Sequence, residues 1–330
     1  MNDYKPPYTV SYTMLELVSE ISEKVGKINS HGELENKSHL RRNNRIRSIH
    51  SSLRIEANSL SLSEVRDVIS GQTVLGDRKE IREVKNAYEA YEHIRDIDPS
   101  SLKDLKRIHG IMTSKTVAES GVFRKGEEGV FSGDKCIFVA PPAYMVSGLM
   151  KDLMAWVKKS EKTVHPLILA SVFHYEFVFI HPFSDGNGRM ARLWHTVILY
   201  RWRSIFEYIP LESQIEKFQT EYYDAIAKCH VRGNSDFFIE FMLKMIDQTL
   251  DDIISLISKS NAETSEYVKR MLDVMEYDVP YTANAIMALL GLKSKETLRK
   301  NYIDPAMELG LVRRTLPDKP KSKNQRYVKQ

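Results

Sequence analysis

Residues 167–180, LILASVFHYEFVFI, place apolar side chains around the whole circumference of a helix rather than along one stripe. A helix of that kind must be buried, and this one is too short to cross a bilayer. Pro166 suits its first turn. Pro182 disfavours helical backbone at the residue before it, so the helix is expected to end near Ile180, with His181 extended. The chain must therefore wrap other elements around one central helix.

Those elements read mostly as helices. Met14, Leu15, Leu17, Val18, Ile21 and Val25 recur at helical spacing in 11–28. Residues 77–97 read as a second helix, and Ser100 or Ser101 as the N-cap of the next. Residues 141–159, 190–203 and 214–258 read as helical. Residues 121–142, GVFRKGEEGVFSGDKCIFVAPP, mix β-branched and aromatic residues with glycine-rich turns, which predicts a hairpin with SGDK near its tip. Beyond a boundary near 258–265 the pattern changes to helix, turn at Gly291, helix, and two short strands around a basic wing, LVRRTLPDKPKSKNQRYV. The expected division is 1–98, 99–260 and 261–330, an all-α chain with one small hairpin and a C-terminal winged helix-turn-helix domain.

Composition excludes several classes. Hydrophobic residues make up 42% and charged residues 28%, ordinary for a globular chain, and a net charge of +4 is too weak by itself to argue for nucleic acid. Two cysteines, Cys136 and Cys229, far apart and without a CxxC spacing, argue against a disulfide framework or a cysteine zinc site. Cys136 reads as a packing residue. The start, MNDYKPPYTV, lacks a basic region followed by an apolar one, so no signal peptide is expected. The resulting expectation is a cytoplasmic protein with no membrane partner.

The chemistry follows the central helix at once, in HPFSDGNGRMAR, residues 181–192. His181 ends a rigid element, a good mount for a catalytic base. Gly186 and Gly188 lie where a new helix begins, and free N–H groups at a helix start bind anions. Arg189 and Arg192 fall three apart on one face of that helix, near its positive end, a conflict that a multiply charged anion would resolve. Asp185 beside a polyphosphate is a reasonable magnesium ligand. Phe183 reads as a packing anchor.

HPFSDGNGRMAR resembles the Fic family signature, HPFx(D/E)GNGRxxR, at every specified position. The hairpin before FVAPP looks like the Fic flap, and the order of helices, core and C-terminal winged helix looks like a common bacterial Fic architecture. The resemblance implies transfer of AMP from ATP to a Ser, Thr or Tyr hydroxyl of a target protein, with ATP and Mg2+ required. It implies that His181 takes the hydroxyl proton and Asp185 holds magnesium. Gly186, Asn187 and Gly188 would form the anion hole, with Arg189 and Arg192 on the β- and γ-phosphates. Gly188 stands where the kinase-like Doc branch has lysine.

Upstream, SSLRIEAN, residues 51–58, resembles the family's inhibitory motif (S/T)xxxE(G/N) through Ser52 and Glu56, with Ala57 in place of Gly or Asn. The resemblance implies a brake: Glu56, on its helix, pairs with Arg192 in the place of the γ-phosphate. A target loop bearing the hydroxyl is expected to add to the flap edge at residues 128–132. The basic tail (Arg313, Arg314, Lys319, Lys321, Lys323, Arg326, Lys329) leaves DNA open as a partner. A homodimer stays open too. So do two other functions: a DNA-binding regulator whose core senses nucleotide, and removal of AMP by the same site.

Overall fold

The computed structural model describes residues 4–31, 38–132, 135–262, 265–276, 279–320 and 322–329. Gly133 and Asp134 of the expected hairpin tip, Lys321 of the basic tail and residues 263 and 264 of the expected boundary lie outside the described residues, as does the Cys136 side chain. Contacts divide the chain into two units, Met1–Val25 with Arg45–Thr249 and Gly26–Asn44 with Leu250–Gln330. Among the described residues no helix is long and apolar enough to cross a membrane.

In the first unit the central helix spans Pro166–Ile180, with Pro166 in its first turn and the His165 ring accepting the Leu167 N–H at 3.3 Å. Leu167, Leu169, Ala170, Val172, Phe173 and Phe177 on it are all buried, as circumferential hydrophobicity requires. It packs along the helix Asn187–Trp202, where Phe173 stacks near Trp194 with centroids 6.3 Å apart. Trp194 finds a polar partner despite its burial, donating Nε1–H to the Pro99 carbonyl at 2.9 Å.

The surrounding helices begin where their caps dictate. Asp77 accepts from the Lys79 and Glu80 amides and starts Arg78–Glu92, while Ser101, rather than Ser100, caps Leu102–Met112 through the Asp104 amide. The expected 77–97 helix stops at Glu92 and continues only as a 3-10 turn, Ile94–Asp96. The 214–258 region resolves into Leu211–Lys217, Gln219–Arg232 and Asp236–Ala262, the second ending on left-handed Gly233. A helix not anticipated above, Leu62–Ile69, has a full capping box between Ser61 and Glu64. The hairpin is present as antiparallel β1 (Gly129–Ser132) and β2 (Lys135–Val139), with a register shift between Val130 and Phe131.

The second unit holds its own core of Val268, Met271, Ile286, Leu290, Leu298, Tyr302, Ala306 and Val312. Thr282 caps Ala283–Leu290, which ends on Gly291 at φ 68, the expected turn. A second helical run follows through Lys295–Leu298, a π turn at Arg299–Ile303 and Asp304–Glu308. Three short strands, β3 (Pro280–Tyr281), β4 (Val312–Arg314) and β5 (Tyr327–Lys329), pair antiparallel in the order β3-β5-β4, one strand more than expected. Lys329 departs from the expectation of a basic surface. It is buried, and its ammonium donates to the Leu272 carbonyl at 2.6 Å, because a cation at the end of the helix Glu266–Val274 satisfies carbonyls that have no N–H donor.

Candidate active site

The site is assembled where the central helix ends. The helix stops at Ile180 as Pro182 requires, but His181 is not extended: it takes the left-handed conformation, φ 51 and ψ 59. That turn closes the helix through the His181 N–H on the Phe177 carbonyl at 3.0 Å. The His181 ring places Nδ1 3.4 Å from the Val178 carbonyl. With Nδ1–H donating there, Nε2 is the nitrogen left to accept a proton. Burial, helped by the Arg124 cation, holds the His181 pKa below its ordinary value against the opposing pull of Val178, Glu56 and Asp185. The ring is thus neutral at pH 7, as a general base must be.

The loop after it is stapled from within. The Asn187 side chain accepts the Phe183 N–H at 3.0 Å and donates to the Phe183 carbonyl at 2.7 Å. What Asn187 offers an anion is therefore its backbone amide. Phe183 is fully buried, stacked on the His109 ring with centroids 3.6 Å apart and planes 4° from parallel. The His109 Nδ1 accepts the Gly121 N–H at 2.9 Å, so Nε2 carries the proton that meets the Asp185 carbonyl at 3.0 Å. Burial lowers its pKa to about 4, which keeps that tautomer neutral.

Gly186 caps the next helix at φ 80, where a side chain would be strained, and a Cβ there would meet Thr113 Cγ2 at 3.0 Å. The first bond of that helix is Met190 N–H to the Gly186 carbonyl. The amides of Asn187, Gly188 and Arg189 therefore have no acceptor within the helix and form an anion cradle. Both arginines are buried and already paired. Arg189 meets Asp185 at 2.9 Å and Glu83 at 3.5 Å. Arg192 donates Nε–H to Ser52 Oγ at 3.0 Å and Nη2–H to the Ser52 carbonyl at 2.8 Å and Glu56 Oε1 at 2.7 Å. Burial opposes charge on Arg192, yet the Glu56 carboxylate together with Tyr222 and Tyr91 raises the guanidinium pKa.

Glu56 lies beside the cradle. A Cβ built on Gly188 would lie 2.2 Å from Glu56 Oε1, so this carboxylate occupies the space that the glycine leaves open beside the helix start. Glu56 is not in its helix as expected. The helix ends at Ile55, and Ala57 turns left-handed at φ 66, taking the conformation that suits Gly or Asn at that motif position. The turn is tied by the Asn58 N–H on the Leu53 carbonyl and by Asn58 Nδ2–H on Glu83 Oε2 at 3.0 Å.

Asp185 tests the site for magnesium. Its side chain is 40% exposed, and Oδ1 takes the Gly186 amide at 2.5 Å and the Arg189 guanidinium. Among the described residues no three His, Cys, Asp or Glu side chains gather as a metal cage. One exposed carboxylate fits an ion whose other ligands are phosphate oxygens and water, the way magnesium is usually held.

Two residues central to this geometry carry no local sequence signal: Arg124, which binds the carbonyls around His181, and His109, under the loop. Glu83, the second partner of Arg189, is likewise a surface-patterned helix glutamate in sequence.

Comparison with known proteins agrees with the geometry. The profile of the Fic/DOC family matches residues 99–199, and that of the "Filamentation induced by cAMP protein Fic-like, C-terminal domain" matches 266–328. A protein adenylyltransferase Fic of Aedes aegypti is 29% identical over 215 residues, covering 62% of this chain and 41% of the relative. Protein adenylyltransferase fic-1 of Caenorhabditis elegans is 28% identical over 227 residues, covering 64% and 42%. The chain thus spans about two fifths of the length of these curated relatives. A crystal structure of a Fic family protein from Desulfovibrio desulfuricans G20 matches 99% of this chain and 98% of its own, at 39% identity and a TM-score of 0.74. With the signature at 181–192 and a full-length match at that identity, the chain belongs to the Fic/DOC family.

Proposed function

We propose that the protein is an autoinhibited protein adenylyltransferase that moves AMP from ATP to a Ser, Thr or Tyr hydroxyl of a target protein. The observation that carries this is the pairing of a neutral His181, its Nε2 left to accept, with a helix-start anion cradle beside two buried arginines. Residues 1–98 then hold the brake, 99–260 the catalytic core and 261–330 a winged helix-turn-helix.

In the reaction the target hydroxyl gives its proton to His181 Nε2 as its oxygen bonds the α-phosphorus. The bond from that phosphorus to the bridging oxygen breaks, and pyrophosphate leaves with the electron pair. The amides at Asn187, Gly188 and Arg189 receive the negative charge on the phosphates, as donors fixed in advance do best. Arg189 and Arg192 hold the β- and γ-phosphates. Asp185 would hold magnesium on phosphate oxygens, where the ion supplies neutralising charge. The target loop adds its strand to the open edge of the two-stranded β1–β2 flap.

With Glu56 on Arg192 the γ-phosphate has no partner, and ATP binds in a pose that keeps its α-phosphorus from His181. Incubation with ATP labelled on the α- or the γ-phosphate tests the activity. A Glu56→Gly variant should incorporate only the α-label into protein, and Glu56→Gly/His181→Ala should lose about 10²–10⁴-fold of it. Incorporation of the γ-label would point to phosphoryl transfer instead. The C-terminal unit leaves Arg313, Lys319, Lys323 and Arg326 exposed, which supports DNA as a second partner. A salt-sensitive gel shift with mixed-sequence DNA is the test.

A further inference from the structure

The central helix ends on a proline, so the carbonyls of Ile180, His181 and Pro182 have no N–H of a continuing helix to accept. One residue from a distant segment takes all three. Arg124 donates Nη2–H to the Ile180 carbonyl at 3.3 Å, Nε–H to the His181 carbonyl at 2.6 Å and its own backbone N–H to the Pro182 carbonyl at 3.0 Å. The same guanidinium reaches the two ends of the hairpin. Nη1–H meets the Gly126 carbonyl at 2.9 Å, just before β1, and Nη2–H meets the Pro141 carbonyl at 2.5 Å, just after β2.

Arg124 is buried at 3% exposure, and no carboxylate pairs with it among the described residues. A buried cation without an anion is costly, and what compensates it here is the negative end of the helix and a ring of carbonyls. The fork of a guanidinium serves four acceptors in fixed directions, which the point charge of an ammonium does not. Holding the His181 carbonyl and the Pro182 carbonyl together fixes the peptide plane between them. That plane sets the left-handed backbone of His181 and, with it, where the imidazole points.

We propose that Arg124 is a positioning residue that registers the His181 imidazole with the flap, by bonding the carbonyls around His181 and both ends of the hairpin with one side chain. Its side-chain hydrogen bonds among the described residues go to carbonyls around His181 and at the hairpin ends, and none goes to the cradle amides. The consequence for rate rests on the adenylyltransferase reading, whereas the consequence for the imidazole does not.

Ring-nitrogen NMR of the full chain and of Arg124→Lys and Arg124→Gln reads the imidazole directly. In the parent, His181 should titrate as a single Nδ1–H tautomer. In Arg124→Gln the tautomers should mix and the apparent pKa should rise, because a cation that disfavours the imidazolium is gone. In Arg124→Lys, which keeps charge but not the fork, the tautomers should mix with little change in titration. In the Glu56→Gly background both substitutions should lower kcat for AMP transfer by about 10²-fold, the scale of a catalytic group misplaced by about 1 Å, with ATP affinity held within about twofold. The flap's amide resonances in 126–129 should shift in both variants, as its anchor is lost.

If His181 keeps its tautomer and titration in both variants, or if ATP affinity and melting temperature fall in step with the rate, Arg124 is a structural residue and the proposal is overturned. If the Glu56→Gly parent transfers no AMP while the imidazole responds as described, the adenylyltransferase reading fails and the positioning role stands. Arg124→Lys keeps the charge at the helix end and so guards against loss of fold in Arg124→Gln.

Discussion

The Glu56 carboxylate meets the Arg192 guanidinium at 2.7 Å beside Gly188, at the start of the helix whose free amides form the anion cradle. On the proposed reading this carboxylate stands where the γ-phosphate would bind, on the arginine that would hold it. Removing this carboxylate leaves the cradle open without altering a residue of the Fic signature.

On the proposed mechanism the pH dependence of transfer follows from His181. Burial depresses its pKa below the usual 6.5, so the ring is fully basic at neutral pH and gains a proton only as the pH falls further. The acid limb of the rate profile of Glu56→Gly should therefore bend below pH 6.5. A limb centred above 6.5 would mean that another group accepts the proton.

His109 gives the fold its own acid sensitivity. Its native pKa of about 4 lies below the 6.5 of the unfolded chain. Between those values the unfolded state binds a proton that the native state does not. The stability His109 contributes is complete above pH 6.5 and is lost as the pH falls toward 4, by an amount on the order of 3 kcal/mol. His109→Gln should flatten urea-midpoint stability over that window; an unchanged slope would place the sensitivity in other histidines, such as His195.

Ala57 sits at φ 66 just past the helix end. A left-handed alanine costs roughly 1–2 kcal/mol, offset in part by the greater chain entropy of glycine. Ala57→Gly should thus raise stability by about 0.5–1 kcal/mol in urea unfolding, with Glu56 still on Arg192. A loss of stability would show that the methyl group packs favourably there.

Asp185 separates charge pairing from metal binding. Asp185→Ala frees Arg189 from its 2.9 Å partner, so ATP binding without magnesium should hold or tighten. The added affinity that magnesium confers on the parent should be lost, by about tenfold or more. Calorimetric titrations that respond equally to magnesium in both proteins would remove Asp185 from the metal site.

Much of this site was legible because its determinants are local. Pro166 and Pro182 bracket the central helix, Ser100 or Ser101 announces a helix start, and the spacing of Gly186, Gly188, Arg189 and Arg192 marks a cradle on one helix end. The Glu56–Arg192 contact was legible only through a resemblance, since nothing in local sequence links residues so far apart. Other features escaped because they depend on tertiary packing. Pro182 argues for an extended His181, yet closure of the helix and the Arg124 bonds hold it left-handed. Arg124 and His109 reach the loop from other segments and look like ordinary polar residues. Lys329 reads as wing surface until the helix end that accepts its ammonium is seen. The Ser61–Glu64 capping box, by contrast, is a local signal that should be read as the start of Leu62–Ile69.

The proposed competition between Glu56 and a phosphate for Arg192 is measured most directly by transfer of α-labelled AMP from four proteins: the parent, Glu56→Gly, Arg192→Ala and the double variant. Residues in direct contact are coupled, so their effects should not add. Glu56→Gly should raise the rate by about 5–150-fold, the usual range of a coupling between two sites. Arg192→Ala should be inactive, and the double variant should match Arg192→Ala. Equal rates for the parent and Glu56→Gly at saturating ATP would contradict the brake, and a double variant as fast as Glu56→Gly would contradict the role of Arg192.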